Sequence, residues 1–325
     1  MAGVAVVITL GGAALVIDDL AGGATHSSAH ESASTGARGV GATTGKTADA
    51  TNTATSVSPT AAPSSQPAHA TEPHTTESHT TESHSQVGPA AATAQLGAIA
   101  AGEPSDGVSV AAANLSTGST FTWGTASGMT TASVAKLDIL ETLLFQHQQA
   151  GATLSASEDD DAQNMIEHSD NDAADELWAD VGSDPAITAA NQTFALKDTV
   201  AGADGYWGLT TTSASDQVTL LKQLVGSSPL DAASQAYALT LMRSVEADQT
   251  WGVSVVADAN TSVALKNGWL AVDNDNDLWA VGSDGLITVH GQTVAIAVLT
   301  QHQASEDAGI DLVQTLAAAT VAAVS

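Results

Sequence analysis

The sequence of 325 residues contains no cysteine. A disulfide framework, a thiolate nucleophile and a metal site built on cysteine are therefore all excluded. Basic residues are also scarce, with 7 Lys and Arg against 36 Asp and Glu and a formal net charge of −29. Because phosphate groups are bound through Lys and Arg, this charge argues against a nucleic-acid partner and against binding to an anionic membrane surface.

The N-terminal part of the chain differs in composition from the rest. Residues 2–17 form an apolar run that is short for a membrane span of about 20 residues and is typical of a signal-peptide core or a short anchor. Residues 20–94 consist mainly of Ala, Thr, Ser, Gly and Pro, which predicts a disordered low-complexity linker. We therefore divide the chain into a signal peptide or membrane anchor (1–19), a linker (20–94) and a globular domain (95–325), and we expect a bacterial protein that is extracellular or anchored at the cell surface.

From residue 95 onwards the hydrophobic periodicity predicts regular structure. Alternating apolar segments around Ser116-Thr117-Gly118-Ser119 indicate a β-hairpin, and leucines at helical spacing indicate a helix over 132–150. Four further helices are predicted at 158–168, 171–181, 213–225 and 229–245. Three strands are predicted at 262–267, 278–283 and 293–300, and a helix at 304–323 closes the domain. This order predicts an α+β domain whose antiparallel sheet takes strands from both ends of the domain.

Two of the five Lys and Arg residues between 95 and 325 stand in short motifs, and the first motif is Ser133-Val134-Ala135-Lys136. A spacing of three places both side chains on one face of a helix. A serine hydroxyl needs a base to act as a nucleophile, and a desolvated lysine amine can be that base. An exposed lysine beside a helical serine is the alternative that this motif alone leaves open.

The second and third motifs are Ser169-Asp170-Asn171 and Lys266-Asn267-Gly268-Trp269. Ser169 can pass a proton to a leaving amine and Asn171 can hold a substrate amide or the lysine, although this tripeptide is also a plausible helix N-cap. At the end of a predicted strand, Lys266 can bind a substrate carboxylate, and Gly268 allows a ligand to lie against the strand. The backbone N–H of Trp269 would then be an oxyanion donor.

Taken together and in this order, the three motifs resemble the S-x-x-K, S-D-N and K-T-G elements of the penicillin-recognising serine enzymes, which include class A β-lactamases and D,D-peptidases. The resemblance covers roughly residues 95–325. It implies a β-lactamase-like fold, with a five-stranded antiparallel sheet, flanking helices and a reduced all-helical subdomain. It also implies catalytic roles for Ser133, Lys136 and Ser169 and substrate binding by Asn171, Lys266, Gly268 and Trp269, without a metal ion or an organic cofactor.

The chain departs from the family pattern at two places. Asn267 stands where the family has Thr or Ser, and no Glu occurs between Glu176 and Glu246. The Ω-loop Glu that activates the deacylating water in class A β-lactamases therefore has no counterpart, and we expect β-lactam turnover to be inefficient. Near the motifs, we expect His168 to have a surface or packing role. We expect the aromatic residues of Gly205-Tyr206-Trp207-Gly208 to pack onto the core, with a pocket wall as the alternative.

Three functions remain open at this stage. The first is an exported serine acyl-transfer hydrolase that acts on an amide, β-lactam or peptide carbonyl through an acyl-enzyme on Ser133. The second is a D,D-peptidase that acts on cell-wall peptides, and the third is a catalytically silent cell-wall-binding module of the same fold. We expect a monomer whose partner is a small molecule or a peptidoglycan peptide, with a membrane tether through residues 2–17 and no nucleic acid.

Overall fold

The structure is a computed structural model that describes residues 88–325. The predicted signal peptide or anchor, and the predicted linker as far as residue 87, lie outside the described residues. Within the described part, no helix is long and apolar enough to cross a membrane.

Regular structure is present a few residues before the predicted boundary at residue 95. Helix α1 spans Pro89–Ile99 and begins with a proline, which suits the first helical position because no N–H is needed there. Ala92 and Leu96, one turn apart, are fully buried, and the helix packs against the last helix of the chain. Residues 89–94 therefore belong to the globular domain and not to the linker, because these two apolar side chains dock the helix.

A five-stranded antiparallel sheet forms the centre of the domain, as the motif resemblance implied. Its strands, in the spatial order β2-β1-β7-β6-β5, are β1 Val108–Asn114, β2 Thr120–Gly124, β5 Ala264–Val272, β6 Leu278–Val289 and β7 Gln292–Gln303. The two ends of the domain meet where β1 pairs with β7. A separate pair of two-residue strands is formed by β3 Met129–Thr130 and β4 Thr211–Thr212.

Residues 88–325 contain seven more α-helices, and six of them were predicted. They are α2 Ala135–Ala150, α3 Ala156–Glu167, α4 Asn171–Val181, α5 Ser183–Thr193, α6 Ala214–Gln223, α7 Ala232–Met242 and α8 Glu306–Val321. The sequence patterns did not indicate α5. The fold is α+β, as predicted.

Different helices pack on the two sides of the sheet, and the side to which a β5 residue points decides whether it lies near the first motif. Successive side chains of a strand point to opposite faces. Leu265 belongs to the apolar cluster that β5 shares with α8, whereas its neighbour Ala264 belongs to the cluster that includes α2 and α6. By the same alternation, Lys266 and Gly268 lie on the face towards α2, where the first motif is found.

Helix α2 carries two buried carboxyl groups. Asp138 is 3% exposed and Glu141 is fully buried. Burial raises the pKa of Asp138 to about 7; a hydrogen bond from Asn191 opposes this rise, and the nearby Asp216 adds to it. Burial, together with the charge of Asp138, also raises the pKa of Glu141 well above its usual value.

We predict that Asp138→Asn changes how stability depends on pH. A carboxyl group with a raised pKa in the folded state stabilises the fold below its unfolded-state pKa near 4, and this contribution is lost as the pH rises through about 7. The variant retains an acceptor for Asn191, and at pH 8 its free energy of unfolding should exceed that of the wild type by about 2–4 kcal/mol.

Urea unfolding at pH 4.5, 6 and 8 measures this difference, with the exposed Asp180→Asn on α4 as the control. Parallel pH profiles for the wild type and Asp138→Asn would contradict the prediction.

Candidate active site

Ser133 lies in a 3-10 turn, Ala132–Val134, that leads directly into α2. Its side chain is only 1% exposed. The preceding residue, Ala132, has φ +46°, a left-handed conformation that is uncommon for a residue other than glycine and is frequent at functional sites. Ser133 is thus placed at the N-terminus of α2, where the helix dipole favours a developing negative charge.

Strand β5 passes in direct contact with the turn that carries Ser133. A Cβ atom on Gly268 would lie 2.7 Å from the backbone nitrogen of Ser133 and 2.6 Å from that of Val134. Glycine is therefore required here for the approach of the protein's own backbone. The next residue, Trp269, brings its backbone to the same region, while its indole packs against Trp251 at a centroid distance of 5.9 Å.

The amines of Lys136 and Lys266 converge on the hydroxyl group of Ser169. The Oγ of Ser169 accepts hydrogen bonds from Lys136 Nζ at 3.1 Å and from Lys266 Nζ at 3.0 Å. Both lysine residues are fully buried. The structure therefore brings together three residues that are 33 and 97 positions apart in the sequence.

The second motif uses each of its three residues differently. Ser169, with φ +55°, forms the junction between α3 and α4. Asp170 is the N-cap of α4 and accepts a hydrogen bond from the backbone N–H of Ala173 at 2.8 Å. Asn171, the first residue of α4, accepts one from Lys136 Nζ at 2.7 Å. The capping interpretation thus applies to Asp170, and Ser169 and Asn171 both bind the lysine.

This arrangement can transfer protons and attract an anion. Because Ser169 Oγ accepts from two amines, its own proton is directed elsewhere, so the hydroxyl can donate to a third group. The amine of Lys266 brings a positive charge into this buried site, which favours a negatively charged ligand group.

Trp207 belongs to the apolar core, as expected, and also covers the amine of Lys136, whereas Tyr206 is 47% exposed and does not pack onto the core. The Trp207 ring centroid lies 4.8 Å from Lys136 Nζ, and Trp207 is 8% exposed. The indole Nε1 donates to Asp175 Oδ1 on α4 at 2.6 Å. Asp175 belongs to none of the three motifs. Its spacing of four from Asn171, which places both on one helix face, was the available signal.

Two other residues near the motifs have structural partners. The amide of Asn267 donates to the backbone oxygens of Gln249 at 2.8 Å and Trp251 at 3.2 Å, so it holds the 249–251 segment against the sheet. His168 lies at the surface, as expected, where its Nδ1 is 2.8 Å from a carboxylate oxygen of Glu246.

Comparisons with known proteins agree with this architecture. The model of a family described as "Beta-lactamase enzyme family" matches residues 145–324. The lipoprotein LppW of Mycobacterium tuberculosis and Mycobacterium bovis is 30% identical over 188 residues, which are 55% of this chain. The chain spans 59% of the length of that relative.

Two solved structures share the fold. A serine-to-glycine variant of the TLA-1 extended-spectrum beta-lactamase has a TM-score of 0.64 at 16% identity, over 73% of this chain and 99% of that one. A variant of PBP-A, solved as an acyl-enzyme complex with penicillin G, has a TM-score of 0.61 at 18% identity, over 72% of this chain and 96% of that one.

We predict that Gly268→Ala destabilises the domain, because the added methyl group would collide with the backbone of the turn that carries Ser133. Overpacking of this kind costs about 1–3 kcal/mol. Gly97→Ala in α1 is the matched control, since a Cβ there meets no atom within 4 Å and alanine favours the helix. Chemical unfolding of both variants measures the difference. Equal stability of the two variants would show that β5 is not in close contact with the turn that carries Ser133.

Proposed function

The chain belongs to the beta-lactamase enzyme family, and we propose that it is a serine acyl-transfer hydrolase that forms an acyl-enzyme on Ser133. The observation that carries the proposal is the convergence of the Lys136 and Lys266 amines on the Ser169 hydroxyl. The contact of Gly268 with the backbone of Ser133 supports it further, since it brings β5 to the same turn. The substrate class is an amide, β-lactam or peptide carbonyl.

In the proposed acylation step, Ser133 Oγ attacks the carbonyl carbon and gives its proton to the neutral amine of Lys136. Lys136 is three positions from Ser133, and their spacing places both on one side of the helix start. The oxyanion is bound by the backbone N–H groups of Ser133 and Trp269, helped by the N-terminus of α2. The carbon–oxygen bond to Ser133 forms in this step.

Collapse of the tetrahedral intermediate breaks the carbon–nitrogen bond, and the departing nitrogen needs a proton. Lys136 Nζ is 3.1 Å from Ser169 Oγ, so the proton taken from Ser133 can pass to Ser169 and from there to the leaving nitrogen. Asn171 holds the Lys136 amine during this transfer. The step leaves an ester on Ser133 and a neutral amine on Lys136.

Lys266 is the residue that selects the substrate in this proposal. Its amine is buried beside Ser169, and a carboxylate is the natural partner for such a charge. The chain as a whole is strongly acidic and repels anions. An anionic substrate group is therefore attracted to the Lys266 amine and not to the rest of the surface. A carboxylate next to the scissile amide is therefore part of the proposed substrate.

A D,D-peptidase is the second candidate. It is favoured by the absence of Glu between Glu176 and Glu246, because an acyl-enzyme without an activating carboxylate deacylates slowly towards water. Its substrate would be a peptidoglycan peptide with a free terminal carboxylate, which Lys266 would bind.

We propose an extracellular or cell-surface location for this protein. The similarity to a protein named as a lipoprotein supports this proposal, as does the apolar run at residues 2–17, which lies outside the described residues. A monomer tethered by its N-terminal segment, with a small molecule or a wall peptide as substrate, fits this location.

Incubation with a fluorescent penicillin tests the proposed acyl-enzyme. We expect stable labelling of the wild-type protein and a loss of labelling in Ser133→Ala, because the nucleophile is absent. Ser119→Ala, in the exposed hairpin turn, is the matched control and should be labelled like the wild type.

The possible results separate the candidate functions. Stable labelling together with release of D-alanine from a peptide ending in D-Ala-D-Ala supports the peptidase, and rapid β-lactam loss without a lasting label supports a β-lactamase. If no β-lactam or ester reacts with the wild-type chain, the hydrolase proposal fails and the silent module takes its place.

A further inference from the structure

One side of the Lys136 amine is closed by an aromatic ring. The amine donates to Ser169 O at 2.6 Å and to Asn171 Oδ1 at 2.7 Å, and the ring of Trp207 lies 4.8 Å away. Polar groups of the second motif therefore bind the amine, and an indole lies over it. The indole thus fills space beside the amine that water does not occupy.

The indole is held in place from two directions. Asp175 Oδ1 accepts the Trp207 Nε1 hydrogen bond at 2.6 Å, and because Asn171 and Asp175 are four apart on α4, one helix face binds the amine and fixes its cover. The segment that carries Trp207 is also bound to the turn before Ser133, because the backbone N–H of Thr131 donates to Thr210 O at 2.9 Å.

The position of this ring matters after acylation. Once the leaving nitrogen has taken its proton through Ser169, Lys136 is neutral and is chemically able to activate water, as it activates Ser133. The chain offers no Glu between Glu176 and Glu246 for this task. The carboxylate of Asp175 is engaged by the indole N–H. The rate of deacylation then depends on whether water reaches the Lys136 amine.

We propose that Trp207, held by Asp175, makes the acyl-enzyme long-lived by keeping the hydrolytic water away from the Lys136 amine. The inference rests on the proposed acyl-enzyme at Ser133. Trp207 acts through Lys136 and is a positioning residue, not a catalytic one. The reaction it suppresses is attack of water on the ester carbonyl, in which the water proton goes to Lys136 and the carbon–oxygen bond to Ser133 breaks.

The test is to measure acylation and deacylation rate constants separately with a fluorescent penicillin. In Trp207→Ala the deacylation rate constant should rise at least tenfold, and it should increase with pH because the neutral amine is the base. Trp207→Phe retains a ring over the amine and should stay within threefold of the wild type. Acylation should change less than deacylation in both variants.

Three further variants, one of them a control, keep the test decisive if Trp207→Ala does not fold. The Asp175 side chain is exposed although it contacts the indole, so Asp175→Ala should fold, release the indole and speed deacylation about threefold or more. Asp175→Asn retains the acceptor and should behave like the wild type. Trp123→Ala, on the edge strand β2 and packed against the apolar cluster on the α8 side of the sheet, controls for general loosening and should leave deacylation unchanged.

The outcomes separate this inference from the function on which it rests. A labelled wild type whose deacylation is unaltered in Trp207→Ala and Asp175→Ala, or is faster without any dependence on pH, would overturn the role of Trp207 and leave the acyl-enzyme standing. A wild type that is never labelled would remove the acyl-enzyme, and the inference with it.

Discussion

The shared contact of two buried lysine amines with one serine hydroxyl is the interaction on which the site depends. Burying an amine is costly unless its hydrogens find acceptors. Ser169 satisfies part of this need for both Lys136 and Lys266. Because the two amines come from α2 and β5 and the hydroxyl from the α3–α4 junction, the contact joins the helical part of the domain to the sheet.

The surrounding structure serves to bring these elements close. Gly268 lets β5 contact the turn at Ser133 without a side chain between them, and the alternation of β5 sends Lys266 to the face of α2. The first turn of α4 holds the Lys136 amine, and its second turn holds the indole that covers it. The same helix α2 that carries the site also buries Asp138 and Glu141, so part of the folding free energy is given up near neutral pH.

Sequence patterns predicted most of the helices and the residues that meet at Ser169. Helices such as α2 were evident because Leu137, Leu140 and Leu144 repeat at helical spacing. Helix α5 was not predicted because it consists mainly of small and polar residues and has a single large apolar side chain, Ile187, at a buried position. The three motifs identified the residues that the structure brings together at Ser169, because local spacing and a known pattern are both visible in a single chain.

Contacts that depend on tertiary packing could not be read in this way. Nothing near Trp207 in the sequence indicates that its ring lies over Lys136, which is 71 positions earlier. The burial of Asp138 and Glu141 runs against the usual preference of carboxylates for the surface, and no sequence pattern indicated it. Asn267 looked like a replaced substrate-binding residue, and its amide instead holds the 249–251 segment.

Nuclear magnetic resonance of the lysine side chains tests the central contact most directly. The chain has only five lysines, and Lys197 and Lys222 are exposed while Lys136 and Lys266 are fully buried. In a lysine-labelled sample we expect two side-chain signals that are protected from solvent exchange, and we expect both to move in Ser169→Ala. Signals that all exchange like exposed lysines, or a Ser169→Ala spectrum in which only one protected signal moves, would contradict the account.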